Sequence, residues 1–210
     1  MAGRQKESRF ARTYLRLAPA ADARGVAAHR HTLLEGLDGR VCEVGSGQGL
    51  NFAHYPAAVT GVVAVEPDVT LRRAARGAAG SAPVPVALVA GEAEALPLAD
   101  ASCDAVVACL VLCSVADQPR ALAEARRVLR PGGRLVFYEH VRSGHRLAGG
   151  LEDLVAPLWS RLAGGCHPNR DTAAAISAAG FTLEAVDRFG FSPGAGLPRT
   201  AHVLGRARRP

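Results

Sequence analysis

Lysine is nearly missing from this chain: Lys6 is the only one in 210 residues, so arginine carries almost all of the basic charge behind a formal net charge of +6. Those arginines are scattered, and only Arg206, Arg208 and Arg209 at the tail lie close together. Aromatic residues make up 5 %. A nucleic-acid interface needs a concentrated basic face interleaved with stacking side chains, so no nucleic-acid partner is expected. Arg, Ala and Gly are abundant together, which reads as the bias of a GC-rich coding sequence.

Long apolar runs are missing too. The longest, residues 105–115, is about half of what a bilayer requires. The opening MAGRQKESRFAR is charged and has no apolar signal-peptide core behind it. Together these predict a cytoplasmic protein without a membrane anchor. Five cysteines, an odd number with no Cys-x-x-Cys pair, suit a reducing compartment. Cys42, Cys109 and Cys113 sit in apolar strand-like runs and read as small buried hydrophobes. Cys166-His167 offers two ligands without a second pair, so no metal site is expected, and Cys113 and Cys166 read as packing residues. Monomer and homodimer stay equally open.

What the chain does have is an ordinary globular balance, 49 % hydrophobic and 21 % charged, at a length that forms one domain with a sizeable core. Strand-like runs fall at residues 40–44, 62–66, 84–89, 104–110, 134–139, 181–189 and 202–207. Between them the spacing predicts helices. Asp68 caps one with Leu71, Ala74, Ala75 and Ala78 on its apolar side. Another opens at Asp117-Gln118-Pro119 and is stopped by Pro131-Gly132-Gly133. A third covers residues 172–179 behind Asp171. This alternation predicts an α/β fold: a doubly wound, mostly parallel seven-stranded sheet with helices on both faces. Only a loop, residues 190–201, separates the last two strands, so they are expected to pair antiparallel. Residues 1–37 are expected to form a helical lid ahead of the main domain, 38–210. The segment LEDLVAPLWSRLAGG places Leu151, Leu154, Val155, Leu158 and Leu162 at helical spacing, which reads as helix core against the sheet.

The stretch VCEVGSGQGLNF, residues 41–52, ends the first strand in a glycine turn. Glycine there allows positive φ and lets backbone amides approach a ligand at the carboxyl end of the sheet. The dinucleotide fingerprint G-x-G-x-x-G needs glycine at position 50, where Leu50 stands. Glu43, two residues before Gly45, would repel a pyrophosphate and suits a ligand that carries an ammonium group. Glu66 closes the second strand, where an acid commonly accepts both ribose hydroxyls. Glu92 is placed to accept the exocyclic amine of adenine, and the Ala93 amide to reach a ring nitrogen. Amino acid, ribose and adenine without phosphate describe S-adenosylmethionine.

These motifs, in this order, resemble the class I S-adenosylmethionine-dependent methyltransferases, and within them the type 11 methyltransferase domain. EVGSGQG looks like the first motif, VVAVEP the second, GEAEALPLADASCDAVV the third with the fourth strand, and RVLRPGGRLVFYEH the helix, turn and fifth strand. The resemblance implies a Rossmann-like sheet with an antiparallel last strand. It also implies cofactor contacts at Glu43, Gly45, Ser46, Gly47, Gly49 and Asn51, at Glu66 and Pro67, at Glu92 and Ala93, and at Cys109 and Leu110.

In methyltransferases that act on exocyclic amines, an (N/D/S)-P-P-(Y/F) element follows the fourth strand; here ACLVLCSV stands there. LVLCSV, RVLRPGG, YEHV, GLNFAHYP and the GC of LAGGCHPNRDT are similar to the mammalian alkyl-thiol S-methyltransferases of the endoplasmic reticulum and their small bacterial relatives. That likeness implies a thiol on a small hydrophobic acceptor, with an O- or N-acceptor as the alternative and a non-catalytic cofactor-binding protein as a further one. The mammalian proteins carry a hydrophobic N-terminal anchor that is missing here, and they lack a histidine after GC, so His167 inherits no role from them. Candidate bases are Glu139 and His140, which point to opposite faces of one strand, together with His167 and Tyr14; His31 is a weaker one.

Overall fold

The computed structural model describes residues 9–192 and 199–210. The first eight residues of the expected lid and the centre of the loop between the last two strands lie outside the described residues. Seven strands form one sheet: β1 (Gly39–Val44), β2 (Val59–Val65), β3 (Val86–Val89), β4 (Cys103–Cys109), β5 (Leu129–His140), β6 (Thr182–Phe191) and β7 (Thr200–Arg208), in spatial order β3-β2-β1-β4-β5-β7-β6. β1 to β5 pair in parallel, and β7 runs antiparallel to both β5 and β6. The chain leaves β1 in one direction for β2 and β3 and returns on its other side through β4. The switch point, where α/β sheets bind ligands, therefore lies at the carboxyl ends of β1 and β4.

Period-two alternation supplies a core on each face. Val41, Ala105 and Val107 face one side with Leu33, Leu34, Phe52 and Tyr138, while Cys42, Val44, Val106 and Ala108 face the other with Leu122, Leu129, Phe137 and Ile176. The first layer is covered by α2 (Ala27–Leu34) and α3 (Val69–Gly80), the second by α4 (Gln118–Val128) and α6 (Thr172–Ala178). The expected caps form: Asp68 accepts from the Thr70 and Leu71 amides, Asp117 from Arg120, and Asp171 from Ala174. β5 begins earlier than expected. Leu129 already pairs with Cys103, and Pro131 to Gly133 form an irregularity before the regular ladder starts at Arg134.

At the N-terminal side, α1 (Arg9–Ala21) joins α2 through a kinked turn, Asp22–Val26, in which Gly25 has φ 128°. One expectation is corrected. α5 (Arg146–Leu162) does not bury its leucine stripe against the sheet: Leu151, Leu154 and Leu158 are 61 %, 78 % and 62 % exposed. The opposite side of the helix holds it in place. Ala156 is buried, Glu152 accepts from the Ser143 amide, and Asp153 pairs with Arg142 at 2.8 Å.

Candidate active site

A cleft of about 380 Å³ opens at the switch point. Gly45 and Gly47, at φ 63° and 56°, form its floor after β1. Both positions need glycine. A Cβ on Gly45 would stand 2.4 Å from Val111, and one on Gly47 would stand 3.1 Å from the Tyr14 ring, in a backbone region that side chains disfavour. Glu66 and Pro67 come from the end of β2, Glu92, Ala93 and Glu94 from the turn after β3, and Cys109, Leu110, Val111, Ser114 and Val115 from the end of β4. Phe10 and Tyr14 of α1 and Gly164 behind α5 complete the wall. Among the described residues, three carboxylates and no lysine, arginine or histidine line this space.

Glu66 is buried, and its two oxygens accept the amides of Gly47 at 2.8 Å and Asp68 at 2.9 Å. Burial pushes its carboxyl up, against those two amides. Each oxygen keeps a lone pair for a ligand hydroxyl. Tyr14 is raised to about 12 by burial, with the nearby Arg30 opposing, so its phenol stays protonated.

Glu43, Ser46, Gly49 and Asn51 are not on the wall but behind it. Glu43 is fully buried; Tyr55 Oη donates to it at 2.6 Å and Asn51 Nδ2 at 3.0 Å. Arg30, also buried, donates to Asn51 Oδ1 at 2.9 Å and to Asp22 at 2.7 Å. A polar relay thus runs from the α1–α2 kink to the end of β1. Burial raises Glu43 to about 7, opposed by its bonds from Tyr55 and Asn51. Gly49 packs so that a Cβ would meet the Phe52 ring at 2.5 Å. Ser46 Oγ and Gln48 Nε2, in the glycine turn itself, are buried without a hydrogen-bond partner.

The candidate bases separate. Glu139 is wholly buried, and its carboxylate accepts the amides of Val111, Leu112 and Cys113 at 2.9–3.0 Å. It anchors the loop after β4 and has no path to a substrate proton. His140 is half-buried and off the cleft wall, its ring 4.4 Å from that of His202. His167 is half-buried, and its backbone N–H donates to the Cys113 carbonyl at 2.7 Å. His31 is exposed beside His54, away from the cleft. Of these five, Tyr14 alone lines the cleft. Arg30 and Phe10 had no motif to mark them; they reach the site by long-range packing.

The carboxylate-lined cleft fits a cationic adenosyl ligand and disfavours a phosphorylated one. The unpartnered Ser46 and Gln48 atoms at the turn fit a polar group bound there. A methyltransferase-domain family model matches residues 42–137, which span β1 to β5. The rat thiol S-methyltransferase TMT1B is 34 % identical over 169 residues, 79 % of this chain and 68 % of the rat protein. Human thiol S-methyltransferase TMT1B is 34 % identical over 180 residues, 83 % of this chain and 73 % of the human protein. A crystal structure of an S-adenosylmethionine-dependent methyltransferase from Thermotoga maritima superposes with a TM-score of 0.73 at 23 % identity, covering 96 % of this chain and 97 % of that one. The chain belongs to the class I methyltransferases, and its cofactor is S-adenosylmethionine.

Proposed function

We propose that the enzyme methylates the thiol of a small hydrophobic molecule. The observation that carries this reading is a cleft whose acceptor side is built from Phe10, Val111 and Val115 and, among the described residues, holds no histidine. It is supported by the two thiol S-methyltransferase relatives. An alcohol would require a general base to become a nucleophile. A thiol, with a pKa of about 8.5, supplies a few per cent of thiolate at neutral pH without one.

When bound, the cofactor supplies a methyl carbon on a sulfonium that leaves as a neutral thioether, keeping the electron pair of the broken bond. The protein's part is recognition and exclusion of water. Glu66 accepts the ribose hydroxyls, Glu92 accepts the adenine amine, and the Gly45–Gly47 turn presents backbone to the amino-acid end. Glu43 and Asn51 fix that turn from behind. Tyr14 and Phe10 of α1, as the lid, and Gly164 close the cleft over the reacting atoms. Thiolate attack on a sulfonium neutralises opposite charges, so a water-poor pocket favours the transition state over the separated ions. Alignment supplies the rest.

The test is a matched panel of alkyl thiols, phenols and amines incubated with enzyme and labelled cofactor. Label transferred to thiols, with faster turnover on the more apolar members, is the expected result. Transfer to phenols or amines with thiols untouched would remove the thiol assignment and leave the cofactor in place.

A further inference from the structure

Three side chains far apart in sequence converge behind the cleft wall. Cys113 follows β4, His140 ends β5, and Cys166 follows α5. His140 Nδ1 lies 3.7 Å from Cys166 Sγ and 4.0 Å from Cys113 Sγ, and all three ligand atoms fall within 4.8 Å of one another. In a tetrahedral zinc site with Zn–S near 2.3 Å and Zn–N near 2.0 Å, the donor atoms stand about 3.6–3.8 Å apart. The two edges to His140, 3.7 and 4.0 Å, are close to that.

The backbone holds the three donors in place. The Cys113 amide donates to Glu139 at 3.0 Å, and its carbonyl accepts from His167. Gly165, at φ 89°, passes so close that a Cβ there would stand 2.7 Å from the Ser114 carbonyl. The loops bearing the two sulfurs are therefore clamped together by main-chain contacts. Two soft sulfurs and one imidazole nitrogen form a donor set that suits zinc. No fourth His, Cys, Asp or Glu joins them among the described residues. Three protein ligands with one position left for an outside ligand is the pattern of a catalytic zinc site. The cleft is next door: Ser114 lines it with its Oγ 3.6 Å from Cys113 Sγ, and Gly164, two residues before Cys166, lines it as well.

We propose that Cys113, His140 and Cys166 bind one Zn²⁺ whose fourth position takes the sulfur of the acceptor. This rests on the thiol reading above and overturns the expectation that Cys113 and Cys166 only pack. On binding, the acceptor's S–H bond breaks, its proton passes to water, and its sulfur replaces a water on zinc; nothing is oxidised or reduced. Methylation turns that sulfur into a neutral thioether, a poor zinc ligand, so the product is released.

The test uses the full chain, purified and dialysed against Zn²⁺, then against Co²⁺ as a spectroscopic substitute. One metal per chain is expected, with cobalt showing thiolate charge-transfer and tetrahedral d–d absorption. Cys113→Ser and Cys166→Ser should each weaken zinc retention against a chelator by about tenfold or more. Adding an alkyl thiol should shift the cobalt d–d bands, whereas the matching alcohol should not. Wild-type protein that retains no metal, or that carries a Cys113–Cys166 disulfide instead, overturns the site, and this arm does not depend on any variant folding. Metal binding with bands indifferent to thiol overturns the fourth-ligand assignment. Thiol methylation at full rate by metal-free enzyme does the same while leaving the thiol reading intact. A metal-loaded enzyme that methylates only phenols or amines fails that reading itself.

Discussion

In the function proposed above, cofactor recognition turns on Glu66. Its position at the end of β2, with both oxygens already oriented by the Gly47 and Asp68 amides, leaves it rigid before any ligand arrives. Glu66→Ala should weaken cofactor binding by about 1–3 kcal/mol, read by calorimetry, through loss of charge-assisted hydrogen bonds. Unchanged affinity would mean that the ribose lies elsewhere. That Glu66, Pro67, Glu92 and Ala93 line the cleft follows from local order, because each lies within four residues of a strand end. The meeting of Cys113, His140 and Cys166 does not. They stand 26 and 27 residues apart and meet only because β4 neighbours β5 and the loop after α5 folds back on both. Cysteine counting looks for close pairs, which this arrangement lacks. Glu139 was legible as an acid at a strand end but not as an anchor. Its three amide partners lie in a loop that only the folded chain brings to it.

At the level of elements, strand positions, helix caps and the antiparallel pairing of β6 with β7 could be read directly. Period-two and helical spacing, with Asp at each cap, are local signals. α5 marks where such signals stop. Helical spacing reveals an apolar stripe without saying what covers it, and here the stripe faces outward while Glu152, Asp153 and Ala156 face the domain. Leu154→Ser should accordingly change stability by no more than about 0.5 kcal/mol. Ile176→Ala, at a fully buried position in α6, should cost about 2–5 kcal/mol. Denaturant midpoints of the two variants make the comparison. A large loss from Leu154→Ser would show that the stripe is covered in solution.

Over the whole molecule, buried acid and buried imidazole shape the pH response in opposite senses. Glu43 is held near 7 in the fold against 4.5 in an exposed chain. As pH rises from about 4.5, the unfolded chain gives up this proton first, so folding binds a proton. Glu43 therefore lowers stability progressively between pH 4.5 and about 7, and no further above that. Burial pushes Glu66 and Glu139 the same way. Burial lowers His202, His29 and His54, which pull the other way, so the comparison is with a variant: Glu43→Gln should lose less unfolding free energy than the wild type between pH 5 and pH 8. A variant with the wild-type slope would place the titration on other groups.

The relay from Asp22 through Arg30 and Asn51 to Glu43 bears on where this enzyme can be cut. Residues 42–137 are what the family model matches, but they are not a self-sufficient piece. Trimming the chain back to β1 would strip Arg30 from Asn51 and bare the face of the sheet that Leu33 and Leu34 cover. Such a shortened protein should bind dyes that report loose, wet interiors and lose cooperative melting, because the helices ahead of the catalytic half are part of its foundation and not merely a door.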